Sequence, residues 1–139
     1  MERFEIIEHT ADVRVRVYGE NIEELFKNAA YALFSLITNY EVEENKEKKI
    51  NLEADTLEDL LVNWLNELIS IFFAYKFLPK SYNVSIKEGA PNMLESSIRG
   101  GDFSPYEKKI HLEIKAATYH NLKIERDKDI LKAEIIFDV

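Results

Sequence analysis

The sequence predicts an α+β fold: a largely antiparallel β-sheet with two α-helices packed on its apolar face. Three observations carry this. Strand-like alternation recurs in many short segments, whereas only two segments show the apolar spacing of a helix. Both helical segments open on a side chain suited to capping. The strand segments mostly alternate apolar with polar residues, as in a sheet with one packed and one wet face, unlike the continuous apolar runs of a parallel sheet. The chain has 139 residues, 46% of them apolar, which fits one domain over 1–139 with a core of its own.

Phe4 to Glu8 is short and apolar-rich and reads as the first strand. His9-Thr10-Ala11 forms a turn or bulge before Asp12 to Tyr18, where Val13, Val15 and Val17 share one face and Asp12, Arg14, Arg16 and Tyr18 the other. Gly19 ends that strand. Asn21 with Glu24 three residues on makes a capping-box arrangement, and Ile22, Leu25, Phe26, Ala29, Ala30, Leu33 and Ile37 form the apolar stripe of the first helix, which stops at Asn39. The charge-rich stretch Glu41 to Lys49 is a solvated connector leading into a strand over Lys48 to Ala54. Thr56 with Asp59 repeats the capping signal. The second helix carries Leu57, Leu60, Leu61, Trp64, Leu65, Leu68, Ile69, Phe72 and Phe73, an apolar face wide enough for a central helix, with Pro79 marking its exit.

Strands dominate the remainder. Tyr82, Val84 and Ile86 alternate before Gly89, and a weaker strand over Leu94 to Arg99 ends at Gly100-Gly101. Ile110, Leu112, Ile114 and Ala116 alternate with His111, Glu113, Lys115 and Ala117. Leu122 to Glu125 is short, and Asp127-Lys128-Asp129 is a hairpin tip. In the last strand Leu131, Ala133, Ile135 and Phe137 alternate with Lys132, Glu134, Ile136 and Asp138.

Composition excludes several functions. There are 18 Lys plus Arg against 26 Asp plus Glu, a net charge of −8, so strong direct nucleic-acid binding is not expected. The absence of cysteine excludes disulfides, thiolate zinc sites and thiol catalysis. The opening MERFEIIEH is charged, and no apolar run approaches a membrane span, so a cytoplasmic protein without membrane contact is expected. Gly100-Gly101-Asp102 lacks the lysine and helix of a phosphate loop, and neither G-x-S-x-G nor H-E-x-x-H occurs.

Strand parity offers the first candidates. Asp12 shares a face with Arg14 and Arg16, Lys115 with His111 and Glu113, and Asp138 with Lys132 and Glu134. Each stands opposite the apolar set of its own strand, so all three gather on the polar side of the sheet if those strands are neighbours. Asp138 also precedes Val139, whose α-carboxylate would lie beside it. With Asp12 these oxygens form a set suited to a hard cation such as calcium or magnesium; a solvated chain end and a surface aspartate are the plainer alternative. His9 and His120 are possible nitrogen ligands or proton carriers, and equally hydrogen-bonding turn residues. His111 falls on a polar strand face.

Four ordered blocks resemble the archease family: His9-Thr10-Ala11-Asp12 followed by Leu25-Phe26 and Ala29-Ala30; Asp59 to Leu68; Glu113 to His120; and Ile136-Phe137-Asp138-Val139. The resemblance spans essentially the whole chain. It implies a non-catalytic accessory protein in tRNA processing that activates the RtcB-type tRNA-splicing ligase. Such a protein promotes guanylylation of the ligase histidine, supports multiple turnover and broadens nucleotide use. Carried over by position, the metal-binding residues are Asp12, Asp138 and Val139, with Ca2+ or another divalent cation as ligand. Lys115 is implied as important for activation, with His9 and His120 supporting the site. Many family members have glycine after His-Thr-Ala-Asp-Val where this chain has Arg14, which bears on the net charge of the site. Two other readings remain: a stand-alone metal-dependent hydrolase using Asp12 and Asp138 with His9 as base, and a binding module with no metal role.

Overall fold

A computed structural model gives the fold and describes residues 2–8, 12–105 and 110–139. His9, an expected site residue, therefore lies outside the described residues, with the turn that contains it. The described elements, in chain order, are β1 (Phe4–Glu8), β2 (Val13–Gly19), α1 (Ile22–Ile37), β3 (Lys46–Ala54), α2 (Leu57–Tyr75), β4 (Phe77–Lys87), β5 (Asn92–Asp102), β6 (Ala116–Ala117), β7 (Glu125–Asp127) and β8 (Ile130–Asp138). The α+β class is as the sequence implies, and all described strand pairs are antiparallel. The strands divide between two sheets: β1-β2-β8-β6 with β7 also on β8, and β3-β5-β4.

Both caps form as expected. Asn21 Oδ1 accepts from Glu24 N at 2.8 Å, and Glu24 Oε1 accepts in return from Glu20 N at 3.1 Å. Thr56 Oγ1 accepts from Asp59 N at 3.0 Å. Each satisfies donors that a helix start leaves open. The acids of these first turns also bind neighbouring segments: Glu23 accepts from Ile86 N at 2.9 Å and Glu58 from Ile124 N at 3.1 Å.

The helices link the two sheets. α1 packs against β2 of the larger sheet and β4 of the smaller; α2 packs against β3, β4 and β5 and also against β6. No described strand of one sheet neighbours a strand of the other. Being covered from several directions, α2 buries Leu60, Leu61, Val62, Trp64, Leu65, Leu68, Ile69, Ile71 and Phe72, which explains its wide apolar face. Two polar contacts fix the helices: Trp64 Nε1 donates to Phe26 O at 3.0 Å, and Asn28 Nδ2 donates to Tyr18 O at 2.7 Å.

Several boundaries differ from the sequence reading. α2 ends at Tyr75 because Lys76 adopts a left-handed conformation (φ 51°, ψ 49°) and turns the chain directly into β4. Pro79 lies inside β4 at a register shift, on the edge of its sheet, where a missing N–H costs no ladder bond. Gly100 and Gly101 continue β5 instead of ending it. A Cβ at Gly100 would stand 2.0 Å from Leu78 O, so glycine is needed for the close approach of β4. A further change concerns Ile110 to Lys115. Only Ala116–Ala117 is strand there; Ile114 is fully buried, but His111 N donates to Ile37 O at the end of α1. Alternation in this stretch reflects one buried side without a ladder partner. The short strand expected over Leu122 to Glu125 forms slightly later, as β7, and the Lys128-Asp129 turn joins it to β8 with Lys128 at φ 60°.

Tyr82 is buried under α1 and α2, edge-on to Tyr31 with ring centroids 5.0 Å apart and to Trp64 at 6.2 Å. Burial pushes its phenol well above the ordinary value, and Tyr31 acts in the same direction. Below about pH 10 both folded and unfolded chains keep this proton. Above it the unfolded chain ionises first, so stability falls as pH rises toward the folded value. Tyr82→Phe is therefore expected to flatten the decline of Tm above pH 10; equal slopes for the two proteins would show that Tyr82 does not resist ionisation.

Candidate functional site

The larger sheet places the candidate carboxylates. β2 and β8 pair with Val13 opposite Phe137, Val15 opposite Ile135 and Val17 opposite Ala133. These residues face the helices, and Val15, Val17, Ala133, Ile135 and Phe137 are buried. Asp12 and Asp138 each lie one residue beyond the Val13–Phe137 pair, at the end of this ladder. On the other side of β8, Ala116 pairs with Asp138, and Lys115 N donates to Asp138 O at 2.8 Å. The structure thus brings Asp12, Lys115, Asp138 and Val139 to one end of three adjacent strands. Lys115 and Asp138 are exposed there, and Asp12 is half-buried.

The two outer-face arginines of β2 that accompany them differ in their partners. Arg16 lies between Glu5 and Glu134 in register and approaches them at 3.7 and 3.9 Å. Arg14 turns along its own strand, with Nε 3.5 Å from Asp12 Oδ1. Its neighbours across the sheet are Ile7 and Ile136.

The two described histidines, His111 and His120, do not gather at this end. His111 Nε2 stands 3.2 Å from Asn39 Oδ1, beyond the C-terminus of α1, so it does not share a strand face with Lys115 as its parity implied. His120 is exposed, with Nε2 3.3 Å from Asn121 Nδ2. Thr118 N donates to Ile136 O, and Asn121 lines an open hollow of about 210 Å³ with Arg16, Lys132 and Glu134. The chain carrying His120 therefore leads away from Asp138.

The donors at the strand ends are carboxylate oxygens, the chemistry of a hard cation that retains water in its shell. Among the described residues no three His, Cys, Asp or Glu side chains gather as a ligand group. Asp12 and Asp138 would thus need further oxygen donors beside their own. The donor set fits such a cation on these terms.

Two asparagines of α2 contribute what sequence reasoning missed. β6 is the edge strand beyond β8, so the outward N–H and C=O of Ala117 have no strand to meet. Asn66 supplies both partners: its Oδ1 accepts from Ala117 N at 2.8 Å and its Nδ2 donates to Ala117 O at 3.3 Å. The side-chain amide stands in for a further strand at a buried edge. Three residues earlier, Asn63 Oδ1 accepts from Tyr119 Oη at 3.0 Å. Asn63 and Asn66, three apart on one helix face beside a broad apolar surface, were the available signal. Asn66→Ala is expected to cost roughly 1–3 kcal/mol, since it strands two polar groups of a residue that is 4% exposed. Amide exchange at Lys115 and Ala117 should quicken more than exchange within α2; uniform change would assign Asn66 to global stability alone.

Among the described residues, no helix is long and apolar enough to cross a membrane. Residues 4–139 match the Archease protein family (MTH1598/TM1083). Proteins named "Protein archease" are similar over nearly their whole lengths: that of Methanosarcina mazei is 33% identical over 99% of this chain and 97% of its own. That of Pyrococcus abyssi is 37% identical over 93% and 92%. The solution structure of Methanobacterium thermoautotrophicum protein 1598 superposes with a TM-score of 0.87 at 30% identity, covering 100% of both chains. The crystal structure of a Thermotoga maritima protein described as an archease, possible chaperone, gives 0.67 at 31% identity, covering 96% of this chain and 94% of that one.

Proposed function

This chain belongs to the archease family, and from that premise we propose that it is a non-catalytic activator of an RtcB-type RNA ligase in tRNA splicing. It promotes transfer of GMP to the ligase histidine, sustains multiple turnover and broadens the nucleotides accepted. It acts in the cytoplasm. The observation that carries the reading is the convergence of Asp12, Asp138 and Lys115 at one end of β2, β8 and β6.

Asp12, Asp138 and Val139 would hold Ca2+ or another divalent cation. When bound, such an ion supplies neutralisation of phosphate charge. The residues of this chain supply placement. β8 carries Asp138 between the other two strands, and Lys115 N donates to Asp138 O, so a backbone bond holds Asp138 beside Lys115. Lys115 extends into solvent and adds a point charge for a phosphate oxygen. A net charge of −8 favours docking on a protein over binding RNA directly.

The test is a multiple-turnover ligation assay with an RtcB-type ligase of the same source, at limiting ligase and saturating GTP, with and without this protein. Faster covalent GMP loading and more ligated RNA are expected. No change in either quantity would exclude the activator role and turn attention to hydrolysis of a small substrate by this chain alone.

A further inference from the structure

A cation of the chain itself stands beside the candidate metal ligand Asp12. Arg14 Nε lies 3.5 Å from Asp12 Oδ1, with the two side chains 29% and 21% exposed. Arg14 Nε is enclosed and forms no hydrogen bond among the described residues. The register explains why it turns to Asp12. The row of Arg16 supplies Glu5 and Glu134, one on either side, whereas the row of Arg14 supplies Ile7 and Ile136, and Ile136 is 6% exposed. With no acid across the sheet, the guanidinium is directed along its own strand to Asp12.

We infer that Arg14 is an internal competitor for the cation at Asp12. It pairs with the carboxylate when no ion is bound and opposes a divalent ion when one arrives, so it sets the affinity of the site. This rests on the reading of Asp12 as a cation ligand given above. The strength follows from position: a fixed unit charge a few ångströms from a half-buried carboxylate weakens cation binding by about tenfold or more.

Calcium titration of the full chain by isothermal calorimetry tests this, with Arg14→Met, Arg14→Gln, Arg14→Lys and Asp12→Asn beside the unaltered protein. Methionine keeps an apolar stem between Ile7 and Ile136 without the charge, and glutamine serves if the methionine variant does not fold. Removing the charge is expected to tighten calcium binding by about tenfold or more, while Arg14→Lys stays within about threefold of the unaltered protein. Asp12→Asn should abolish binding in either background. Equal affinity for the unaltered protein and the neutral variants would overturn the inference while leaving Asp12 as a ligand. Absence of calcium binding by every protein, neutral variants included, would remove the cation reading itself and the inference with it.

Discussion

Asp12→Asn is expected to reduce GMP loading and ligation to the levels of the ligase alone, while leaving the protein folded. The substitution keeps size and shape and removes one charge from the strand-end group. The ion pair of Asp12 with Arg14 is at 3.5 Å and partly exposed. Pairs of that kind contribute about 0–1 kcal/mol. Thermal melting should therefore shift by only a few degrees, and loss of stimulation then reports on the site. Asp138→Asn should behave alike, as Asp138 is exposed and meets Lys115 and Ala116 through its backbone. A variant that melts normally and still stimulates the ligase fully would sink the assignment of Asp12.

Trp64→Ala should have the largest effect on stability. Trp64 is fully buried, donates to Phe26 O at 3.0 Å and packs against Tyr82, so it ties α2 to α1 and to the smaller sheet at once. Truncating a buried tryptophan costs about 3–5 kcal/mol through lost burial and the cavity left behind. That is a large share of the roughly 5–15 kcal/mol that holds a domain folded. Trp64→Phe retains most of the volume and loses the hydrogen bond, so a smaller loss is expected. Urea unfolding measures both. A shift below about 1 kcal/mol for Trp64→Ala would mean that the core closes around the gap.

Local chemistry made much of this architecture legible. Asn21 with Glu24 and Thr56 with Asp59 located both helix starts, because capping involves residues three apart in sequence. Period-two patterns located β2 and β8 and assigned Asp12 and Asp138 to polar faces. That these strands are neighbours was not legible, since pairing joins residues such as Gly19 and Leu131 that no local pattern connects. The stretch Ile110 to Lys115 misled for a related reason: alternation reports a buried side, and a ladder also needs a partner backbone. Pro79 and Gly100 look like punctuation in the sequence, although their roles are a bulged edge and a close backbone approach, both set by the opposite strand. Asn66 was passed over because its amide serves a backbone 51 residues away.

The pairing of β2 with β8 also sets the order in which the molecule can be completed. Loop closure over so many residues is entropically costly and slow, and such non-local contacts form late unless the intervening chain has already collapsed. During synthesis, β1 and β2 emerge early as a pair in which the outer edge of β2 is open, while α1, α2 and the β3-β5-β4 sheet follow. β8 then closes the open edge of β2 and carries Asp138 to Asp12 in the same step. A nascent or truncated chain lacking β8 holds half of the carboxylate pair and an unprotected strand edge. The approach of Asp138 to Asp12 and the burial of that edge are one kinetic event.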